Sequence, residues 1–239
     1  MVQGSPGVLT PWTRPVSWSD LGDWWVSEVT DDPAYETVVT PMLLGILDPV
    51  SELTYLDLGC GEGRVMRSIS GRGAEVHGVE LNPHLARLAA RTASTMIGEL
   101  PALGFIKDDS YDGAYCVLVL EHIEDHRRLF HEVARVVKPG GRFAVVTNHP
   151  VWTAPGSTPV TDHDGETLWR PGAYFASGTT DEPAGEQRVV FHHRTMAELV
   201  NAAAGAGWSL EEMIEAPHHD DLTQPGIPRL LACRWRRLP

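Results

Sequence analysis

Long hydrophobic runs are missing from this chain: no stretch of its 239 residues approaches the roughly 18 apolar residues that a membrane-crossing helix needs. Cysteine is scarce. Cys60, Cys116 and Cys233 are few, odd in number and scattered without metal-ligand spacing. The opening residues MVQGSPG lack a basic region followed by an apolar one, so the simplest compartment is the cytoplasm. Positive charge is short as well, with 19 Lys and Arg against 32 Asp and Glu for a net charge of −13. That balance repels a phosphate backbone and argues against nucleic acid as a substrate. No internal repeat is visible. The 42% hydrophobic content suffices for one domain with a sizeable core and room for an insertion.

The stretch that organises the rest is Tyr55 to Met66, YLDLGCGEGRVM. A short apolar run with Leu53, Tyr55, Leu56 and Leu58 stops at Gly59, Gly61 and Gly63, and a helical pattern follows through Val65, Met66 and Ile69. Glycines remove Cβ atoms where a ligand must pass close to the backbone, and the helix that follows aims unpaired N–H groups at it. The spacing is Gly-x-Gly-x-Gly, not the Gly-x-Gly-x-x-Gly of dinucleotide enzymes. Asp57, two residues ahead of the first glycine, would meet a positive group and not a pyrophosphate. Further on, EVHGVEL alternates and ends at Glu80, where a second parallel strand would finish; a carboxylate there can accept from both hydroxyls of a ribose.

Taken in order, LDLGCGEGR, VHGVELNP, IGEL, YDGAYCVLVLEHIED and VVKPGGRFAVV are similar to the class I S-adenosylmethionine-dependent methyltransferases, over roughly Leu53 to Thr147. The resemblance implies an α/β, doubly wound Rossmann-like sheet of seven mostly parallel strands with an antiparallel C-terminal edge hairpin. It implies S-adenosyl-L-methionine as cofactor, with S-adenosyl-L-homocysteine as product, and a small-molecule acceptor. Carried over residue by residue, the cofactor contacts fall on Asp57, Gly59, Cys60, Gly61, Glu80, Leu81, Gly98, Glu99, Leu100 and Cys116. Glu99 stands where relatives commonly have aspartate against the adenine amino group. Tyr35 stands where relatives often carry an aromatic residue over the methionine end. Cys60 reads as a small side chain packed under the turn.

Around that core, residues 1–50 read as an arm followed by cap helices, 51–148 as the cofactor-binding core, 149–187 as an insertion over the site, and 188–239 as the rest of the core. Four of the eight tryptophans, Trp12, Trp18, Trp24 and Trp25, precede the core, either capping its exposed end or walling a substrate cavity. Residues 151–187, rich in Gly, Pro, Thr and Asp with Trp152 and Trp169 among them, read as a long loop serving as a substrate lid. Thr195 with Glu198 three residues on is a capping box opening a helix. Two strands, Trp208 to Glu215 and Leu230 to Trp235, follow.

A sulfonium methyl is already activated, so alignment of the nucleophile is the main demand, and a base would help a hydroxyl or protonated amine acceptor. Histidine suits that task near neutral pH. Among 11 histidines, His122, His149, His192 and His193 lie near expected carboxyl ends of strands. The preferred pair is His149 with His192, because HP after the fifth strand and FHHRT before the capped helix look like patterns in small-molecule members of the family; His122 is the third candidate. No metal site is expected, since the adjacent His218, His219, Asp220 and Asp221 lack a complementary pair elsewhere. No membrane partner is expected either, and the chain would be a monomer or homodimer. Two other classes stay open: a protein that binds the cofactor without methyl transfer, and a nicotinamide-dependent oxidoreductase, which the glycine spacing disfavours.

Overall fold

The structure is a computed structural model in which residues 15–217 and 226–239 are described; Trp12 and the cluster from His218 to Asp221 lie outside them. The organising stretch forms a strand, a turn and a helix. β1 (Thr54–Leu58) runs through the centre, the glycine turn follows, and Arg64–Ser70 is helical. Together with β2 (Glu75–Glu80), β3 (Ser94–Ile97), β4 (Tyr111–Val117), β5 (Val137–Asn148), Trp208–Pro217 and Pro228–Arg237, β1 builds one seven-stranded sheet. The order from one edge is Trp208–Pro217, Pro228–Arg237, β5, β4, β1, β2, β3. Five strands pair in parallel, and the C-terminal pair forms an antiparallel hairpin whose second strand lies against β5. The expected seven-stranded, doubly wound α/β architecture is therefore the observed one. The order reverses between β1 and β4, the point beyond whose carboxyl ends open sheets of this kind bind ligands.

Side chains alternate across β1, which divides the core in two. Leu56 and Leu58 join the face covered by α5 (His126–Val136) and α7 (Met196–Gly205), whereas Tyr55 joins the face covered by α2 (Thr40–Leu47) and α3 (Arg64–Ser70). Asp57 falls on the second face by the same alternation. Helix starts follow local chemistry. Asn82 Oδ1 accepts from the amides of His84 and Leu85 to open α4 (Pro83–Ala89), and Thr195 and Glu198 form the expected reciprocal capping box on α7.

Ahead of the core, Trp18–Asp20 makes one 3-10 turn and α1 (Gly22–Glu28) follows. The next helix begins with a π-helical turn, Tyr35–Val39, before α2, and Asp48 ends it in the left-handed region (φ 48°). A π turn widens the helix by one residue and is frequent at functional sites.

The stretch expected to be a long loop is instead ordered into a single helical turn, α6 (Pro150–Thr153), and two antiparallel hairpins, β6 (Thr158–Thr161) with β7 (Thr167–Arg170) and β8 (Gly178–Ala184) with β9 (Gln187–His193). Turn chemistry explains the difference. Gly165 and Gly185 take positive φ in the two hairpin loops, and Asp162 Oδ1 accepts from the amides of Asp164 and Glu166, so the same Asp and Gly that suggested a loop close the ribbons. β3 stops before Gly98; β4 stops at Val117 because Leu118 turns left-handed (φ 52°); β5 runs through Lys138 to Gly141.

Candidate active site

A cavity opens above the carboxyl ends of β1, β2 and β4, at the reversal of strand order. The glycine turn forms its floor. Gly59, Gly61 and Gly63 all have positive φ, and a Cβ on Gly59 would sit 2.6 Å from a Val119 methyl, so the turn needs glycine for both conformation and space. Under the turn, Cys60 is buried beside Gly78, where a Cβ would lie 2.6 Å from Cys60 Sγ; burial pushes the thiol's pKa far up, as befits a packed side chain.

Three buried carboxylates face this turn. Glu80 Oε2 accepts from the Gly61 amide at 2.9 Å and Oε1 from the Asn82 amide at 2.8 Å, which fixes the acid at the end of β2. Burial lifts its pKa, and those amides pull it back. Glu62 accepts from Trp25 Nε1 at 2.7 Å and from Arg64 Nε at 2.8 Å. Asp57 differs: it is 2% exposed, and its Oδ2 has no hydrogen-bond partner among the described residues. Burial holds its carboxyl well above the usual carboxylate range, only partly offset by the nearby Tyr115 hydroxyl. A buried carboxyl that lines a cavity without a cationic side-chain partner suits a cationic group on a ligand.

The N-terminal segment closes one side. The Trp25 bond to Glu62 ties α1 to the glycine turn, the Arg64 guanidinium lies 4.2 Å from the Tyr35 ring centroid, and Arg64 Nη2 donates to Val29 O at 2.7 Å. Trp18, Trp25 and Tyr35 all line the cavity. The β8–β9 hairpin packs on this segment from outside. Ala184 and Val189 bury against Leu21, Val16 N donates to Arg188 O at 2.9 Å, and Trp24 lies against Gly185. None of residues 149–187 lines the cavity itself.

Of the residues expected to meet the cofactor, Tyr35, Asp57, Gly59, Cys60, Gly61, Glu80, Leu81, Gly98, Glu99 and Leu100 line this one cavity, and Cys116 does not. Cys116 is fully buried within the sheet; Val117, Leu118 and Val119 take the lining position after it, because the left-handed Leu118 swings the chain over the opening.

The histidines part company. His122, on the 3-10 turn Leu120–His122, lines the cavity, edge-on to Trp18 (centroids 4.7 Å) and Phe191 (4.8 Å). Its Nδ1 lies 3.2 Å from Val190 O, and a carbonyl can only accept, so Nδ1 carries the hydrogen. Nε2 keeps its lone pair, with no partner among the described residues. Burial lowers the ring's pKa, with Glu121 pulling the other way. The preferred pair, His149 and His192, is not brought to the cavity. His149 is buried as the cap of α6, its Nδ1 accepting from the Val151 amide at 3.1 Å and its Nε2 2.8 Å from Glu215. His192 sits in β9 opposite Thr179, and His193 is bonded between Thr153 Oγ1 and Tyr174 O. Adjacency to a strand end marked them, and packing turned them elsewhere. Of the tryptophans read as caps or cavity walls, Trp18 and Trp25 wall the cavity; Glu62 and Arg64 were missed as lining residues, and the Glu and Arg inside GCGEGR were the available signal. Among the described residues one set of possible metal ligands, Asp162, His163 and Asp164, lies on the β6–β7 turn outside the cavity lining, and it is largely exposed.

Comparison with known proteins follows from this geometry. Residues 56–145 match a family model described as methyltransferase domain. A "Ubiquinone biosynthesis O-methyltransferase" from Nitrosomonas europaea is 30% identical over 129 residues, 49% of this chain and 54% of that protein, so the chain spans about half the length of the curated relatives it matches. Among solved structures, an S-adenosylmethionine dependent methyltransferase from Mesorhizobium loti aligns with a TM-score of 0.71 at 28% identity, over 82% of this chain and 96% of that one. One described as a putative S-adenosylmethionine dependent methyltransferase, from Listeria monocytogenes, shares the fold at a TM-score of 0.73 and 24% identity, over the same two shares.

Proposed function

We propose that the chain is a class I S-adenosylmethionine-dependent methyltransferase, as the methyltransferase-domain match over residues 56–145 and the Mesorhizobium loti structure support, and that it methylates a small-molecule acceptor, with His122 receiving the proton the acceptor gives up. The cofactor, S-adenosylmethionine, supplies when bound a methyl group already activated by the sulfonium charge, leaving the chain to bind, orient and keep out water. Glu80, held by the Gly61 and Asn82 amides, has lone pairs left for the two ribose hydroxyls. Leu81, Gly98, Glu99 and Leu100 form the wall for the base. Asp57 takes the amino group of the methionine portion, and Tyr35, Trp18 and Trp25 exclude water from that end.

The observation that carries this reading is the buried Asp57 carboxyl, which lines a cavity together with buried Glu62 and Glu80 and has no cationic side-chain partner among the described residues. Such a site is incomplete without a bound cation, and a sulfonium with an ammonium group meets the need. His122 is neutral near pH 7, with Nε2 free to accept a proton, which suits a hydroxyl acceptor. The name of the Nitrosomonas relative favours oxygen as well. The net charge of −13 weighs against phosphate-rich acceptors.

The test is to incubate the protein with S-adenosylmethionine and a panel of small hydroxylated and amine acceptors, following S-adenosylhomocysteine and methylated product together. Equal release of both with at least one acceptor supports the proposal. Tight cofactor binding with no methylated product across the panel counts against transfer and favours a protein that only binds the cofactor.

A further inference from the structure

We propose that Arg194 is the positioning residue for His122, holding from the end of β9 the turn that carries it. This rests on the reading of His122 as proton acceptor. The segment leaving β4 is under strain: Leu118 is left-handed, and three residues of 3-10 helix follow, Leu120–His122. A left-handed non-glycine residue persists only where its surroundings over-determine it, and the end of a 3-10 turn leaves carbonyls without partners.

Two buried charges brace the segment, adding to the backbone bond in which Leu120 O accepts from the Ile123 amide at 3.2 Å. Glu121 reaches back to the end of β5, accepting from Thr147 Oγ1 at 2.8 Å, from the Asn148 amide at 3.3 Å and from Asn148 Nδ2. Arg194, 7% exposed, reaches across from the end of β9. Its Nη1 donates to Leu120 O at 3.0 Å and to His192 O at 3.3 Å; its Nη2 donates to Ile123 O and, at 2.9 Å, to Glu124 O. One planar guanidinium thus ties three carbonyls bracketing His122 to the strand that also holds the ring, since Val190 O receives the Nδ1 hydrogen and Phe191 meets the ring edge-on. Burial lowers the Arg194 pKa to about 10, with Glu121 opposing the shift, so the group stays cationic at pH 7 and all its donors persist. No other side chain among the described residues donates to the carbonyls of Leu120, Ile123 or Glu124.

The consequence is that Arg194 sets the direction of the free Nε2 lone pair without lining the cavity. A misplacement of about 1 Å can cost about 10²-fold in rate. The experiment compares Arg194→Lys and Arg194→Ala with the unaltered chain, using 15N spectra of histidine side chains with the His122 signals assigned by His122→Gln. Thermal unfolding and S-adenosylmethionine affinity are measured alongside. Expected is one Nδ1–H tautomer in the unaltered chain, a tautomer mixture in Arg194→Ala, and an intermediate state in Arg194→Lys, which retains charge but has too few aligned donors. With an identified acceptor, kcat falls by about 10²-fold in Arg194→Ala while cofactor affinity holds. If Arg194→Ala does not fold, the Arg194→Lys spectrum decides alone. An unchanged His122 tautomer in whichever variants fold overturns the proposal. Full turnover in His122→Gln would instead remove the reading of His122 as base, and the spectra would still say whether Arg194 orients the ring.

Discussion

Replacing Gly78 by alanine tests the floor of the cofactor site from beneath, through Cys60. The added Cβ would stand 2.6 Å from Cys60 Sγ, 3.1 Å from Cys60 Cβ and 3.2 Å from Met66 Cε. None of these neighbours moves freely: Cys60 is pinned between two left-handed glycines, and Met66 is fully buried. Overpacking of this kind costs about 1–3 kcal/mol. For a chain of this length 1 kcal/mol shifts Tm by about 2–4 °C, so Gly78→Ala should lower it by roughly 2–12 °C. Because Cys60 has nowhere to go but up, the Gly59 and Gly61 amides shift with it and cofactor affinity falls. Cys60→Ala removes the sulfur and leaves the milder approaches to Cys60 Cβ at 3.1 Å and Met66 Cε at 3.2 Å, so the double variant should recover much of both losses. Calorimetric unfolding of the four proteins, with cofactor titration of each, reads the cycle. Effects that add within about 0.5 kcal/mol would refute the contact as the cause.

Asp57→Asn should separate stability from binding. Burial raises the Asp57 pKa in the folded chain above its ordinary 3.8, so the folded state holds that proton more tightly than the unfolded state and ligand-free stability falls as pH rises above about 4. The neutral variant lacks this loss: its ligand-free Tm should exceed that of the unaltered chain at pH 7 and converge with it towards pH 4, while cofactor affinity drops about 10- to 150-fold for one charge-assisted hydrogen bond. A parallel Tm difference at both pH values would contradict the assignment. His122→Gln should cut turnover of a hydroxyl acceptor by about 10²–10⁴-fold, and the limb of the unaltered enzyme's pH profile should lie below pH 6.5 because burial lowers that pKa. His149→Ala should instead cost stability, about 0.5–2 kcal/mol for the lost cap, and leave turnover of the folded enzyme intact; loss of turnover at full stability would transfer the base assignment to it. Thr195→Ala should cost about 0.5–2 kcal/mol through α7, and an unchanged urea midpoint would show that the capping box contributes nothing.

What could be read from the residues was what local chemistry decides. The glycine turn, the acid closing β2, the Thr195 cap and the final two strands are short-range patterns, and each stands where its spacing put it. Ten of the eleven expected cofactor contacts share one cavity for the same reason. What failed depended on distant partners. His149 and His192 sit at strand ends as expected, but Glu215 and the β8–β9 pairing decide where their rings go. The roles of Trp25 and Arg194 hinge on contacts 37 and up to 74 residues away along the chain, with Glu62 and Leu120, beyond the reach of any local pattern. The two hairpins were hidden because their turn residues also spell loop, and only cross-strand pairing distinguishes the outcomes.

Calorimetric titration of the chain with S-adenosylmethionine, beside Glu80→Ala, tests the central claim most directly. The account predicts one site per chain, with affinity largely lost in the folded variant because Glu80 is the acid that the Gly61 and Asn82 amides fix at the cavity from the end of β2. No heat of binding in the unaltered chain, or equal affinity in the two proteins, would contradict it.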